Sequence, residues 1–188
     1  MTGIYVNSIK DKTGSRQLAS DSGSAWSWGS GIPTGTVIKK SFYSIGRGTF
    51  TNSDFPSDDT IPQRSQGTEI FSQAYTPSTT NCNLILTATV RLGESSDMGN
   101  TMNCALFISD ADNALCISED YAEGASNKHS GNLLILYKMS SWGESEKTFS
   151  LRASGANRYN YSTHNTSYAT EKWGGVLTSA FIVEEIAS

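Results

Sequence analysis

One stretch, residues 83–92, constrains the fold more than any other part of the sequence. Apolar and polar side chains alternate along it, which is the pattern of a β-strand that buries one face of a sheet. A helix would need apolar residues three and four apart, whereas here they lie two apart. The apolar positions are Leu84, Leu86, Ala88, Val90 and Leu92, and Thr87, Thr89 and Arg91 lie between them. The stretch therefore predicts a half-buried strand.

Strand-like segments recur along the rest of the chain at nearly regular spacing, and glycine-rich turns separate them. β-Branched and aromatic residues are frequent in these segments, and such residues favour strands. About eight strands of this kind predict an all-β fold, an antiparallel β-sandwich. Residues 118–124 are the one rival helix, and they are short and poorly capped. The other strand segments are 36–45, 69–75, 104–108, 114–117, 133–139, 148–153, 157–161 and 176–186.

A long segment at residues 46–67 interrupts this pattern, with Gly46, Gly48, Pro56, Pro62 and Gly67 along it. Loops of this length are uncommon in compact domains. The segment is therefore either functional or pinned by contacts.

Residues 1–35 differ in composition from residues 36–188, and we interpret them as an N-terminal arm in front of the sandwich domain. Apolar alternation at Ile4 and Val6, a turn signal and a second short apolar segment predict a small hairpin. Beyond it, Trp26 and Trp28 stand two apart among glycines and serines, so an extended chain puts both on one face. Side chains of this size need burial. The arm either docks on another surface, which we favour, or packs on its own domain.

Composition excludes several classes of function. The net charge is −4, and no cluster of Lys and Arg marks a nucleic-acid surface. The adjacent Lys39 and Lys40 are expected to be solvated strand residues. No apolar run reaches the roughly 18 residues of a membrane span, and the N-terminus lacks the pattern of a signal peptide. The 3 cysteines, an odd number without a secretion signal, predict free thiols in a reducing cytoplasm.

No arrangement of residues points to catalysis, to a cofactor or to a metal. The 2 histidines lie in polar loops, and no Cys-x-x-Cys pair exists. Asp110, Asp112 and Asn113 resemble part of a calcium loop but lack its glycine and its full ligand pattern, so a hairpin turn explains them better. Neighbouring carboxylates such as Glu184 and Glu185 are expected to be solvated. We therefore expect a protein that is not an enzyme and has neither cofactor nor metal.

Four segments resemble a group of phage virion structural proteins: IYVNSIKDKTG at 4–14, LASDSGSAWSWG at 18–29, IPTGTV at 32–37 and GGVLTSAFIVEEI at 174–186. The resemblance implies a jelly-roll-like sandwich, often trimeric, which the arm fixes to the virion. It also implies capsid or tail proteins as partners, and a place at the virion surface after synthesis in the host cytoplasm. It implies no catalytic residues.

Two functions remain after these exclusions. In the first, the chain is a trimeric capsid-decoration or short fibre protein, since no repeat or coiled coil supplies a long shaft. Its anchoring residues would be Ile4, Val6, Trp26 and Trp28, because buried aromatic and aliphatic side chains dominate interface energetics. In the alternative, the sandwich is a carbohydrate-binding module for a host-surface glycan, and aromatic rings stack on the sugar. The candidate rings, which core or interface packing would also explain, are Trp142, Tyr159, Tyr161, Tyr168 and Trp173.

Overall fold

A computed structural model describes residues 8–10, 17–21, 26–28, 33–49, 54–56, 58–80, 82–93, 101–121, 130–155, 158–159 and 177–188. Within these residues every regular element is a β-strand, so the prediction of an all-β fold is confirmed. The arm contains β1 (Ser8–Lys10), β2 (Gln17–Asp21) and β3 (Trp26–Trp28). The remaining strands are β4 (Val37–Ile45), β5 (Gly48–Thr49), β6 (Thr68–Tyr75), β7 (Cys82–Gly93), β8 (Thr101–Ile108), β9 (Cys116–Tyr121), β10 (Ser130–Ser140), β11 (Lys147–Ser154), β12 (Arg158–Tyr159) and β13 (Ser179–Ala187).

Eight long strands form two antiparallel sheets. The first sheet has the order β4–β13–β7–β10, and the short strands β12 and β5 extend it at the end of β7. The second sheet has the order β6–β11–β8–β9. Counted along the chain, the first long strand pairs with the eighth, the second with the seventh, the third with the sixth and the fourth with the fifth. This nested pairing, rolled into a double sheet, makes the fold a jelly roll.

The main core lies between the two sheets and follows the alternation that the sequence shows. The five apolar positions predicted on β7 are 0% exposed, because they belong to one core cluster with side chains of the second sheet such as Leu106 and Leu151. Phe181 of β13 and Phe149 of β11 are also buried, and their ring centroids lie 5.6 Å apart across the core. Aromatic pairs at this distance stabilise a fold beyond their buried area.

A second, smaller core lies on the outer face of the second sheet. Phe55, from the segment before β6, is 5% exposed and packs against Ala105 and Phe107 of β8. The hairpin between β8 and β9 holds this segment, since the Ala114 N–H donates to the carbonyl oxygen of Pro62 at 2.9 Å. Of the two explanations for residues 46–67, pinning by contacts is therefore confirmed for the described part of the segment.

The turn between β8 and β9 is a hairpin, as predicted. Asp110 pairs with Lys147, with 2.5 Å between carboxylate oxygen and Nζ, and Asn113 Oδ1 accepts a hydrogen bond from Gln63 Nε2 at 2.9 Å. Strand β9 continues through Tyr121, so the rival helix at 118–124 is not formed over its described part.

The arm contains the predicted hairpin and one further strand. β1 pairs with β2, and β2 pairs with β3, all antiparallel. Trp26 and Trp28 both belong to β3. Their side chains, and all of Ile4 and Val6, lie outside the described residues. The anchoring role of these four residues stays a prediction.

Candidate functional site

The outer face of the first sheet carries an exposed apolar patch. Phe42 of β4 lies opposite Ile182 of β13. Ile182 lies opposite Thr87 of β7, and Thr87 lies opposite Leu136 of β10. Phe42 is 63% exposed and Leu136 is 67% exposed. Leu134, two residues earlier on β10 and on the same face, is 58% exposed. We call the patch formed by Phe42, Ile182, Leu134 and Leu136 the apolar face.

The apolar face departs from the usual chemistry of a half-buried sheet. When one face of an antiparallel sheet packs on the core, the other normally carries polar side chains. Single exposed apolar side chains are common, but here Phe42, Ile182 and Leu136 share one row, which Thr87 interrupts, and Leu134 lies in the next row. A cluster of exposed apolar side chains on one sheet face is a candidate interaction site.

Charged side chains of both signs border the apolar face. Lys40 of β4 lies opposite Glu184 of β13, and Lys40 Nζ lies 2.9 Å from Glu184 Oε1. Lys138 of β10 belongs to the same row, because Ile85 of β7 lies opposite both Glu184 and Lys138. The border of the apolar face therefore presents charges of both signs beside the exposed apolar side chains.

The apolar face has a sequence signal that strand prediction alone does not use. Residues 133–136 form a continuous apolar run, Leu-Leu-Ile-Leu. A strand must send alternate side chains to opposite faces. Leu133 and Ile135 enter the core, so Leu134 and Leu136 face outward. Phe42 gives no comparable signal, because it stands between Ser41 and Tyr43 in a mixed segment.

The expectation that Glu185 is solvated is wrong. Glu185 is 0% exposed, because every second residue of β13 points into the sandwich. Its carboxylate accepts hydrogen bonds from Tyr75 Oη at 2.6 Å and from Ser78 N at 3.1 Å, and a short one from Ser78 Oγ. Lys39 Nζ lies 3.6 Å from Glu185 Oε1 and 4.9 Å from the centre of the Tyr75 ring. We call these four residues the Glu185 cluster.

The Glu185 cluster keeps its carboxylate ionised. Burial alone would raise the pKa of Glu185, but the hydrogen bonds from Ser78 and Tyr75 and the Lys39 ammonium outweigh it and hold that pKa below its ordinary value. Burial and the hydrogen bond to Glu185 raise the pKa of the Tyr75 phenol. A carboxylate with a lowered pKa is a weak general base at neutral pH. The cluster instead fits a structural role, tying β13 to β6 and to the segment that follows β6.

Trp142 is the one predicted stacking aromatic whose side chain is described. Its ring meets Phe149 edge-on, with centroids 5.6 Å apart, and its Nε1 donates to the carbonyl oxygen of Ser145 at 2.8 Å. Lys147 Nζ lies 5.1 Å from the ring centre. Tyr159 belongs to β12 but its side chain is not described, and the other three rings, Tyr161, Tyr168 and Trp173, lie outside the described residues. A shared stacking platform stays a prediction.

The cysteines are free thiols of low reactivity. Cys82 and Cys104 are buried, and Cys116 is half-buried. Burial raises the pKa of each thiol, that of Cys116 to about 11. Such thiols carry little thiolate at neutral pH and are poor nucleophiles. Within the part of the chain that the structure describes, no three His, Cys, Asp or Glu residues stand close enough together to hold a metal ion. The same part contains no helix that could cross a membrane.

Comparisons with known proteins give a likeness in structure only. No protein-family model matches the sequence, and no curated protein matches it at a significant level. Eiger TNF from S. frugiperda is 10% identical, with 81% of this chain and 96% of that chain covered and a TM-score of 0.41. Dimeric latent PorU from Porphyromonas gingivalis is 9% identical, with 84% of this chain and 14% of that chain covered and a TM-score of 0.37.

A third similar chain comes from the structure of infectious bursal disease virus Gx strain. It is 10% identical, with 80% of this chain and 38% of that chain covered and a TM-score of 0.33. At TM-scores below 0.5 these three likenesses say nothing about function. The jelly-roll assignment rests on the strand pairing itself.

Proposed function

We propose that this chain is a structural subunit of a phage particle, a capsid-decoration or short fibre protein that forms a homotrimer through its apolar face. The observation that carries the self-association part of the proposal is the exposure of Phe42, Leu134 and Leu136 on adjacent rows of one sheet. Burying what is exposed of such a side chain contributes roughly 1–2 kcal/mol. Any closed assembly gains this contribution on every copy. The phage role and the number three rest on the resemblance of the sequence to phage virion proteins, which are often trimeric.

Other features agree with an architectural role. The Glu185 cluster uses its one buried carboxylate to hold strands together, and burial suppresses the reactivity of the thiols. The arm forms its own small sheet, which offers a second surface for contact with capsid or tail proteins. In this proposal the sandwich faces outward at the virion surface after synthesis in the host cytoplasm.

Substitution of the apolar face tests self-association. We expect Leu134→Glu combined with Leu136→Glu to convert the trimer into monomers, because each trimer would then have to bury six unpaired carboxylates. Both side chains already face solvent in a single subunit, so the substituted subunit keeps its fold. Light scattering coupled to size-exclusion chromatography measures the mass, and thermal unfolding monitored by circular dichroism checks the fold.

Ile117→Glu is the matched control for this substitution. Ile117 is 46% exposed and belongs to β9 of the second sheet, away from the apolar face. The proposal requires the Ile117 variant to keep the mass of the unsubstituted chain. If the double variant also kept that mass, the apolar face would not be the interface.

The arm has a test of its own. We expect Trp26→Ala with Trp28→Ala to abolish incorporation of the protein into particles, because an anchoring surface loses its two largest apolar side chains. Incorporation is measured by immunoblotting of purified particles, with Trp26→Phe and Trp28→Phe together as the aromatic control. Circular dichroism should show the sandwich intact in both variants. Normal incorporation of the alanine variant would disprove anchoring through the tryptophans.

A further inference from the structure

We infer that the outer face of the second sheet carries a binding site for a carboxylated sugar. A cleft of about 290 Å³ opens on this face, close to the lower end of the ~300–1,000 Å³ usual for small-ligand sites. Ser72 of β6 and Ser150 of β11 lie opposite each other in register and line it together with Thr148. Two guanidinium groups, of Arg64 and Arg152, also line it. We call this the polar cleft.

The two arginines of the polar cleft are held in place before any ligand arrives. Arg152 donates from Nε to the carbonyl oxygen of Gln66 at 2.7 Å and from Nη2 to that of Gly67 at 2.8 Å. Arg64 donates from Nη1 to the carbonyl oxygen of Ser109 at 2.5 Å. These contacts join the pinned segment before β6 to the sheet, so the guanidinium groups lose little freedom on binding.

Arg64 is the group of the polar cleft that can exchange its partner for a ligand carboxylate. Glu69, which lines the cleft, has Oε2 3.5 Å from Arg152 Nη1, and Asp112, beside the cleft, has Oδ1 4.0 Å from Arg64 Nη2. The side chains of Arg64 and Asp112 are 40% and 84% exposed, so theirs is a weak surface pair that a ligand carboxylate can replace. A planar guanidinium matches a carboxylate with two parallel hydrogen bonds.

The remaining lining residues favour a sugar over a simple anion. Every residue that lines the polar cleft is polar, whereas most small-ligand sites are lined largely by apolar side chains. Ser150 is only 6% exposed, so a nearly buried hydroxyl lines the cleft. Serine and threonine hydroxyls both donate and accept, and the Glu69 carboxylate accepts, which suits the hydroxyls of a sugar ring. In this arrangement the ligand carboxylate binds Arg64, and the ring hydroxyls bind Ser72, Thr148 and Ser150.

A single copy of such a site binds its ligand weakly, whereas several copies on one assembly bind a multivalent surface more tightly. If the chain is trimeric as proposed above, three clefts on one assembly raise the avidity for a surface that presents many acidic glycans. The cleft itself does not depend on the trimer, because all its lining residues come from one chain.

Titration of sugars into the full chain, monitored by nuclear magnetic resonance, tests the site. We expect glucuronic acid to shift the backbone amide signals of β6 and β11, and glucose to bind at least ~10-fold more weakly because it lacks the carboxylate. Inorganic phosphate separates sugar recognition from plain anion binding. We expect Arg64→Gln to weaken glucuronic acid binding at least ~10-fold, whereas Arg47→Gln, which removes the same charge outside the cleft, leaves it unchanged.

A second variant tests the site independently if Arg64→Gln fails to fold. Ser72→Glu places a negative charge in the cleft from an exposed strand position and should abolish binding. The inference would be overturned if glucose or phosphate bound as tightly as glucuronic acid. It would also be overturned if folded Arg64→Gln or Ser72→Glu bound glucuronic acid as tightly as the unsubstituted chain. Light scattering on the same variants keeps this result separate from the trimer proposal, because neither variant changes the apolar face.

Discussion

Replacing Gly155 by alanine is expected to remove about 4 kcal/mol or more of the free energy of unfolding, which places it among the most damaging single substitutions. Gly155 follows β11 directly and has a φ of +69°, in the left-handed region where alanine is strained. A Cβ at this position would overlap the carbonyl oxygen of Thr101 and lie 2.7 Å from its carbonyl carbon. Neither atom belongs to a flexible side chain, so β8 must move away from β11.

Thermal unfolding measures this effect. At ~2–4 °C per kcal/mol for a chain of this size, the Tm of Gly155→Ala should fall by roughly 10 °C or more. Gly35→Ala is the matched control, since Gly35 has a φ of +89° and no atom within 4 Å of an added Cβ. Gly35→Ala introduces backbone strain alone and should lower the free energy of unfolding by about 1 kcal/mol. An equal loss in both variants would show that strain, rather than the close approach of Thr101, decides the outcome.

Replacing Glu185 by alanine is the second substitution with a large expected effect, about 3–5 kcal/mol. It leaves the Tyr75 hydroxyl and the Ser78 N–H without their acceptor and Lys39 without its counter-ion. Glu185→Gln keeps the shape but removes the charge, so a smaller loss is expected. Glu184→Gln is the control one residue away, because Glu184 faces outward and its ion pair with Lys40 is partly exposed.

The Glu185 cluster also predicts the direction of a pH dependence. The pKa of Glu185 in the folded chain lies below its ordinary value of 4.5, so the ionised carboxylate stabilises the fold. That contribution is complete above pH 4.5 and is lost as the pH falls through the lower pKa of the folded state. Urea unfolding of the parent chain and of Glu185→Gln at pH 7 and pH 3 measures it. The difference in stability between the two chains should shrink toward pH 3, and a constant difference would contradict the assignment.

The sequence predicts the strands of this protein far better than it predicts its surfaces. Alternation on β7 predicts which side chains enter the core, because a strand with one buried face has a period of two. The same period also places Glu185 inward, as observed, whereas its charge led to the wrong expectation that it is solvated. Only the contacts with Tyr75, Ser78 and Lys39, which lie far from Glu185 in sequence, make the buried carboxylate stable.

The candidate sites are also only partly predictable from the sequence. Leu134 and Leu136 are visible as part of an apolar run, but their place beside Phe42 depends on β13 and β7 lying between β10 and β4. The polar cleft is less predictable still. Arg64 comes from the segment before β6 and Arg152 from β11, and the pairing of β6 with β11 brings them to one face. No local pattern of residues indicates that meeting.

The mass of the unsubstituted chain in solution tests the central claim most directly. Sedimentation equilibrium over a wide range of concentration should give three times the 20.3 kDa of one chain, with dissociation only on dilution. Leu134→Glu with Leu136→Glu should give 20.3 kDa throughout the same range. A mass of 20.3 kDa for the unsubstituted chain at every concentration would contradict self-association through the apolar face.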